Sequence, residues 1–157
     1  MADRVTLASL GKARWYAEEV NAGRGVLLVV LLADGAEADG TLVDRATLAA
    51  VLGVTANKEA AWPGGTGYER KSYSSVAVNV STANDRVDLA ITNPTWSTAG
   101  DPNDPYKLSK IGVCFAPSAG AANSAIVPLA WLDFPSTVDG SNLVFAFDAA
   151  GFYRSQG

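Results

Sequence analysis

Alternating apolar and polar positions dominate the second half of the chain and predict β-strands. The clearest case is a pair of alternating runs joined by a polar turn at residues 83–86, where Asn and Asp favour a β-hairpin. The apolar positions are Val76, Val78 and Val80 before the turn, and Val87, Leu89 and Ile91 after it. We therefore predict a hairpin in this part of the chain.

Three further strands are predicted downstream. One begins with alternating apolar residues at 111–115, the next covers 126–134, and the last covers 143–147. Pro128 cannot donate a ladder hydrogen bond, so it indicates a sheet edge or a bulge in the middle one. Short strands separated by Gly, Pro and Asn turns are typical of a sandwich or barrel. We predict a mainly β, single-domain antiparallel β-sandwich or barrel with one or two short helices in the N-terminal third.

The apolar run at residues 26–32 predicts a core strand, because strands covered on both faces have continuous Val and Leu. It is far shorter than the roughly 20 residues that span a bilayer. A signal peptide would need a short cationic start, whereas Glu18 and Glu19 precede this run. No membrane segment is predicted.

The N-terminal third contains two helical patterns. Apolar residues recur at helical spacing over 7–20, where an extended arm lying on a neighbouring subunit is the alternative. Residues 44–52 predict a second helix, with Asp44 as the N-cap and Gly53 just past its end. We divide the chain into an N-terminal arm or short helix at 1–25 and a β-rich domain at 26–157.

The composition of the chain argues against one class of partner, nucleic acid. The chain has 157 residues, a net charge of -4 and a pI near 4.7, and its basic residues are scattered. Nucleic-acid binding needs clustered Lys and Arg, so no nucleic-acid partner is predicted. A chain of this length is long enough to bury a core as one domain.

Residues suited to catalysis are few. The chain has no histidine, which excludes the common triads and most zinc sites, and a single cysteine, Cys114, which excludes an internal disulfide. Cys114 lies in a strand-like run, where a buried, inert thiol is expected. We predict no catalytic residue, no cofactor and no metal, and expect the chain not to be an enzyme.

The aspartates provide the remaining candidates for chemistry. Asp34, Asp39 and Asp44 are spaced five residues apart, and Asp101 and Asp104 share one loop. We expect these carboxylates to solvate turns and cap helices. A calcium loop would need the ordered EF-hand pattern, which is missing, and a pair of carboxylates for glycoside hydrolysis is not singled out.

Aromatic side chains are the candidate interface residues. The alternative is that they close the ends of the β-core. Residues 62–68 are glycine-rich without the order of a phosphate-binding loop, and predict a flexible connection between the two parts of the chain. The candidates are Trp15, Tyr16, Trp62, Tyr68 and Trp96.

The order of several short motifs resembles a group of small virion proteins of tailed bacteriophages, over roughly residues 26–154. No single motif is diagnostic, and the order and spacing carry the resemblance. In the first half the motifs are Asp44-x-x-x-Leu48-x-x-x-Leu52, NKEA at 57–60, GYERK at 67–71, VAVNV at 76–80, NDRVD at 84–88 and TWSTAG at 95–100. In the second half they are KIGVCF at 110–115, IVPL at 126–129, DF at 133–134, DG at 139–140 and AAGFYR at 149–154.

The resemblance implies a capsid decoration protein or another head or tail component, and it identifies no catalytic residue. The expected function is a non-enzymatic cement protein that binds the major capsid protein on the outer surface of the shell. We expect a homotrimer or another homo-oligomer, made in the host cytoplasm and located on the virion, with residues 1–25 and the 62–68 loop attaching to the shell. Alternatives are a tail, neck or fibre-associated component or a receptor- or glycan-binding module, and then a carboxylate-based hydrolase.

Overall fold

The computed structural model describes residues 4–5, 12–149 and 151–156. The chain forms an antiparallel, sandwich-like β-fold with three short helices, which confirms the predicted mainly β class. The helices are α1 (Ala13–Asn21), α2 (Asp39–Leu42) and α3 (Leu48–Leu52). The strands are β1 (Arg4–Val5), β2 (Val26–Ala33), β3 (Lys71–Tyr73), β4 (Ala77–Ser81), β5 (Arg86–Ala90), β6 (Thr95–Trp96), β7 (Tyr106–Ala116), β8 (Val127–Val138), β9 (Leu143–Val144) and β10 (Tyr153–Gln156).

The strands form three antiparallel sheets. The largest has five strands in the order β1-β8-β7-β2-β3, the second has the order β10-β5-β4, and β6 pairs with β9. Long strands β7 and β8 form a hairpin, whose register shifts near Cys114, the residue opposite Pro128. The irregularity that Pro128 predicts is therefore confirmed.

Strand β2 carries the continuous apolar run, and both of its faces are buried. Leu27, Val29 and Leu31 pack into one core cluster together with residues of the two smaller sheets. The side chains at 28, 30 and 32 pack on the opposite face against Leu42 of α2, against Leu48 and Val51 of α3, and in one cluster with Ile126 and Trp131. Residues 27–32 are at most 1% exposed, which confirms the predicted core strand.

Helix α1 buries Ala13, Ala17 and Val20 on the same side as the smaller sheets. The predicted helix at 7–20 is thus helical over 13–20, and residues 7–11 lie outside the described part of the chain. Helix α3 begins later than predicted. Thr47, not Asp44, is its N-cap, because the extended Thr47 backbone brings its hydroxyl to the Ala50 N–H at 3.2 Å.

The predicted hairpin at 76–91 is confirmed as β4 and β5, joined by a turn in which Asp85 has a positive φ of 46°. The predicted strand at 143–147 is shorter in the structure, because only Leu143 and Val144 pair with β6. Beyond them, Phe145 donates its N–H to the Pro94 carbonyl and Phe147 donates to the Asn93 side chain. Strands β1, β3, β6 and β10 have no counterpart in the sequence-based prediction.

Candidate functional site: an interaction surface

The five candidate aromatic residues fall into two separate groups. Trp62, Tyr68 and Trp96 lie together, with the Trp62 ring centroid 5.3 Å from that of Tyr68 and 6.4 Å from that of Trp96. Trp62 and Trp96 are only 5% and 2% exposed. This burial places both tryptophans in the core, so the fold does not offer them to a partner.

Every polar side-chain atom of Trp62, Tyr68 and Trp96 has a hydrogen-bond partner. Trp62 Nε1 donates to the Thr66 carbonyl at 3.0 Å, and Trp96 Nε1 donates to the Glu69 carbonyl at 2.8 Å. The Tyr68 hydroxyl donates to Glu59 and accepts from a backbone N–H of β2. Burial raises the pKa of Tyr68, so its hydroxyl stays protonated and keeps donating. These contacts are those of a structural cluster.

The glycine-rich loop at 62–68 is also held in place, in contrast to the flexible connection that its sequence predicts. Gly65 and Thr66 form bridges to Ala99, and a Cβ on Gly65 would lie 2.1 Å from the Thr98 carbonyl oxygen. Gly65 has a φ of 57°, a region that glycine adopts without steric cost. The glycines therefore allow close approach of two loops.

Trp15 and Tyr16 form the second group, on α1. The Trp15 side chain is 53% exposed, the same fraction as Val80, and its ring meets that of Tyr16 edge to face at 5.0 Å. Tyr16 in turn packs on Phe115 of β7, with ring centroids 4.7 Å apart. The exposed indole is thus supported from beneath by a ring that is fixed to the central sheet.

Helix α1 packs against the β4–β5 hairpin. The side chain of Asn21, the last residue of α1, accepts from the Val76 N–H at 2.8 Å and donates to the Val76 carbonyl at 2.9 Å. This pair of hydrogen bonds fixes the entry into β4 against the end of the helix. The position of Trp15 relative to β4 is therefore defined by packing and by hydrogen bonds.

The three-stranded sheet has one apolar and one polar face. Val78 lies opposite Leu89, which pairs with Tyr153, and these side chains pack into the core. The neighbouring row, Asn79, Asp88 and Arg154, lies on the other face, because adjacent residues of a strand point to opposite sides.

Two arginines neutralise the carboxylate on this polar face. Arg154 donates from Nε to Asp88 Oδ1 at 2.8 Å and from Nη2 to Oδ2 at 3.2 Å. Arg86 Nε lies 3.3 Å from the second oxygen. The hydrogen bonds from Arg154 lower the pKa of Asp88, against burial, which raises it, and both guanidinium charges lower it further.

Strand β4 is the edge of this sheet. Within the described part of the chain it pairs only with β5, and its residues Asn79 and Val80 are exposed. None of its five residues, AVNVS, is charged. The exposed Trp15 of α1 and the free edge of β4, with its residues Asn79 and Val80, are the candidate contact regions.

The aspartates and the cysteine have structural roles. Asp34 accepts from the Gly35 N–H and Asp101 from the Asn103 N–H, which confirms their predicted roles in turns. Asp39 instead pairs with Lys110. Within residues 4–5, 12–149 and 151–156, no three acidic or cysteine side chains come close enough together to hold a metal ion.

Cys114 is fully buried, and burial raises the pKa of its thiol to about 12. The burial confirms the expected buried thiol. A thiol with this pKa is protonated at neutral pH.

Lys110 is the least expected charged residue, because it is only 8% exposed. Its Nζ donates to the carboxylates of Asp39 on α2 and Asp133 on β8. Burial acts to lower the pKa of Lys110, but the two hydrogen-bonded carboxylates outweigh it, so the pKa is raised. Asp39 and Lys110 are distant in sequence, and no local pattern connects them.

The sequence-based prediction does not include the free edge of β4. The hairpin was predicted, but not that β4 would be a sheet edge, because this depends on β10 pairing on the other side of β5. The available signal was the absence of charge in residues 77–81.

None of the helices described in the structure has the length and apolar content needed to cross a bilayer.

No protein-family model, curated protein or solved structure matches the chain.

Proposed function

We propose that this chain is a non-enzymatic structural protein of a tailed-bacteriophage virion, and that it is a decoration protein bound to the major capsid protein on the outer surface of the shell. The observation that carries the proposal is the exposed Trp15, whose ring is backed by Tyr16. Tryptophan is enriched among the residues that dominate binding energy at protein interfaces. The motif order at residues 26–154 supports a virion as the setting.

The packing of α1 suits an attachment site. Ala13, Ala17 and Val20 fix the helix to the core, and the ion pair between Arg14 and Glu18 lies exposed near Trp15. A rigid aromatic side chain loses little conformational entropy on binding, and a polar rim is typical of interfaces. In this proposal Trp15 enters an apolar pocket on the capsid protein. The 62–68 loop contributes less than its sequence suggests, because Trp62 is buried.

The test is binding of the purified protein to virions that lack it. Trp15→Ala should weaken binding by about 30-fold or more, the effect of removing a central interface tryptophan. Val144→Ala is the matched control, because Val144 is 49% exposed on β9, and it should bind like the unchanged protein. Equal binding of the two variants would contradict the role of Trp15.

The position on the particle is tested by copy number. Quantitative mass spectrometry of purified virions should give copies comparable in number to the capsid subunits. A few copies per particle would instead identify a tail, neck or fibre component, and absence from virions would refute the proposed class.

A further inference from the structure

We propose that two copies of this chain associate by pairing their β4 strands antiparallel about a two-fold axis at Asn79. The pairing joins two three-stranded sheets into one six-stranded sheet. The partner of the β4 edge is thus a second copy of the chain. This proposal rests on the proposed function only for its setting on a phage particle.

The free edge of β4 provides the hydrogen bonds. In an antiparallel ladder every second residue directs its N–H and C=O toward one neighbour, and the remaining residues direct theirs to the other side. Among the described residues, β4 has β5 on one side only. Its outward backbone groups are therefore available to another strand.

Two other edge strands, β3 of the five-stranded sheet and β10 of the three-stranded sheet, carry protection that β4 lacks. Charged residues, proline and bulges are the usual means by which proteins prevent pairing between edges. The charged residue Lys71 lies in β3, and Arg154 lies in β10. Strand β4 contains no charged residue and no proline, and its register with β5 is continuous.

The sequence of β4 is nearly palindromic, so it is complementary to itself. Antiparallel pairing centred on Asn79 places Val78 opposite Val80 of the second copy on the apolar face. On the polar face, Asn79 faces Asn79 of the second copy, and Ala77 faces Ser81. Val80, which is 53% exposed, gains an apolar neighbour. A slip of one residue would place valine opposite asparagine, and a slip of two would leave part of β4 without a partner in the second β4, so the register centred on Asn79 is favoured.

Charge also permits the pairing. On the polar face, Asp88 lies one strand in from the edge and is held by Arg154 and Arg86. With strands about 4.8 Å apart, the two Asp88 carboxylates would be separated by three strand spacings, or about 14 Å. That distance exceeds the Debye length of about 8 Å at physiological salt, so the two identical sheets do not repel each other strongly.

The size of the contact sets its strength. Two five-residue strands bury less than the roughly 1,200 Å² of a stable interface, so the isolated dimer should be weak, with a Kd of about 10 μM or higher. Attachment to a common shell would raise the effective concentration of neighbouring copies and favour the pairing there.

Disulfide trapping of the isolated protein tests the contact. In Asn79→Cys the two introduced thiols would be directly opposite, at a Cα separation of about 4.5–5.5 Å that a disulfide accepts. Ser72→Cys is the matched control, because Ser72 is the exposed central residue of the β3 edge. The buried Cys114 remains outside the reaction. Under mild oxidation, Asn79→Cys should form reducible dimers at least about tenfold faster than Ser72→Cys, and equal rates would overturn the proposal.

A second pair of variants tests the register. A mixture of Val78→Cys and Val80→Cys proteins should form the mixed dimer faster than either forms its own dimer. Preferential formation of either homodimer would contradict the register centred on Asn79.

A charge at the edge provides a measurement that needs no cysteine. Val80→Lys should abolish the self-association that sedimentation equilibrium detects for the unchanged protein, while circular dichroism confirms that the variant is folded. A monomeric unchanged protein at millimolar concentration, or an unaffected dimer in Val80→Lys, would overturn the proposal. Capsid binding is not measured in these experiments, and Trp15→Ala should leave the self-association unchanged, so the two proposals can fail separately.

Discussion

The five-stranded and three-stranded sheets differ in how many of their faces are covered. Strand β2 of the larger sheet has buried residues on both sides, from Leu27 to Leu32. In the smaller sheet, the inner residues Val78 and Leu89 contact the core, whereas Asn79 and Val80 of the edge strand are exposed. The larger sheet therefore supplies stability, and the smaller one supplies surface.

The sequence patterns of the two sheets reflect this difference. Strand β2 is continuous Val and Leu, as expected for a strand covered on both faces, and β4 and β5 alternate. Substitutions should consequently have their largest effects on stability in the five-stranded sheet and their largest effects on association in the three-stranded one. The following predictions concern substitutions in each sheet and at the junction of α1 with the smaller one.

Truncation of a buried ring should have the largest effect. Trp131 of β8 is 0% exposed and lies opposite Gly112, where a Cβ would come within 2.4 Å of the indole ring. Trp131→Ala should lower the free energy of unfolding by about 3–5 kcal/mol, because it leaves a cavity. Val80→Ala, at the exposed edge of the smaller sheet, should change it by less than about 0.5 kcal/mol.

Urea denaturation of the two variants measures this contrast. Comparable losses in Trp131→Ala and Val80→Ala would show that the three-stranded sheet contributes to stability as much as the five-stranded sheet does.

Removal of the buried cation should have the next largest effect. Lys110→Met leaves the Asp39 carboxylate, whose side chain is 14% exposed, without its partner, and should destabilise by about 3 kcal/mol. Adding Asp39→Leu should recover most of that loss, since it removes the unpaired charge. Arg154→Ala is the comparison in the smaller sheet, and it should cost about 1 kcal/mol or less, because the arginine is 43% exposed and Asp88 keeps Arg86 at 3.3 Å.

Thermal denaturation of the single and double variants gives these differences. A double variant as unstable as Lys110→Met would indicate that the lysine stabilises the sheet through packing of its aliphatic chain and not through its charge.

Disruption of the junction between α1 and the β4–β5 hairpin should have a smaller effect on the free energy of unfolding. Asn21→Ala removes the two hydrogen bonds to Val76 and should cost about 1–2 kcal/mol. It should also increase hydrogen exchange at the Val76 amide, because that N–H loses its acceptor. Asn21→Asp retains an acceptor for the N–H and should protect the amide better than Asn21→Ala. Equal exchange in the two variants would contradict a role of the side-chain oxygen.

The sequence predicts those parts of the fold that local pattern determines. The core strand, the hairpin, the irregularity at Pro128 and the mainly β class all follow from periodicity and turn residues. The start of α3 was misplaced because Asp44 and Thr47 are both good N-caps, and only the extended backbone at Thr47 decides between them.

Long-range contacts explain what the sequence does not predict. Burial of Trp62 and Trp96 depends on loops that meet at Gly65 and Ala99, and the pairing of Lys110 with Asp39 joins residues far apart in the chain. Of the candidate interface residues, the sequence identifies Trp15 and Tyr16 by type alone. It does not distinguish them from the buried tryptophans, because an aromatic residue near a turn suits either role.

The smallest predicted effect concerns pH. The contributions of the two sheets to the free energy of unfolding should be lost in different pH ranges. The folded-state pKa of Asp88 is lowered from 3.8, so its contribution is present above that pH and is lost as the pH falls through the folded pKa. The folded-state pKa of Lys110 is raised from 10.5, so its contribution is present below that pH and is lost as the pH rises through the folded pKa. With no histidine in the chain, stability should change little between about pH 5 and 9.

Chemical denaturation across this range, with one variant in each sheet, tests the assignment. The stability difference between the unchanged protein and Asp88→Asn should shrink only in acid, below about pH 4, where protonation of Asp88 weakens its bonds to Arg154. Of the two differences, only that for Lys110→Met should shrink in alkali, above about pH 10, where the lysine of the unchanged protein loses its charge. A difference for Asp88→Asn that is constant down to about pH 2 would show that Asp88 contributes through packing or hydrogen-bond geometry rather than through its charge, because only a charge contribution disappears on protonation.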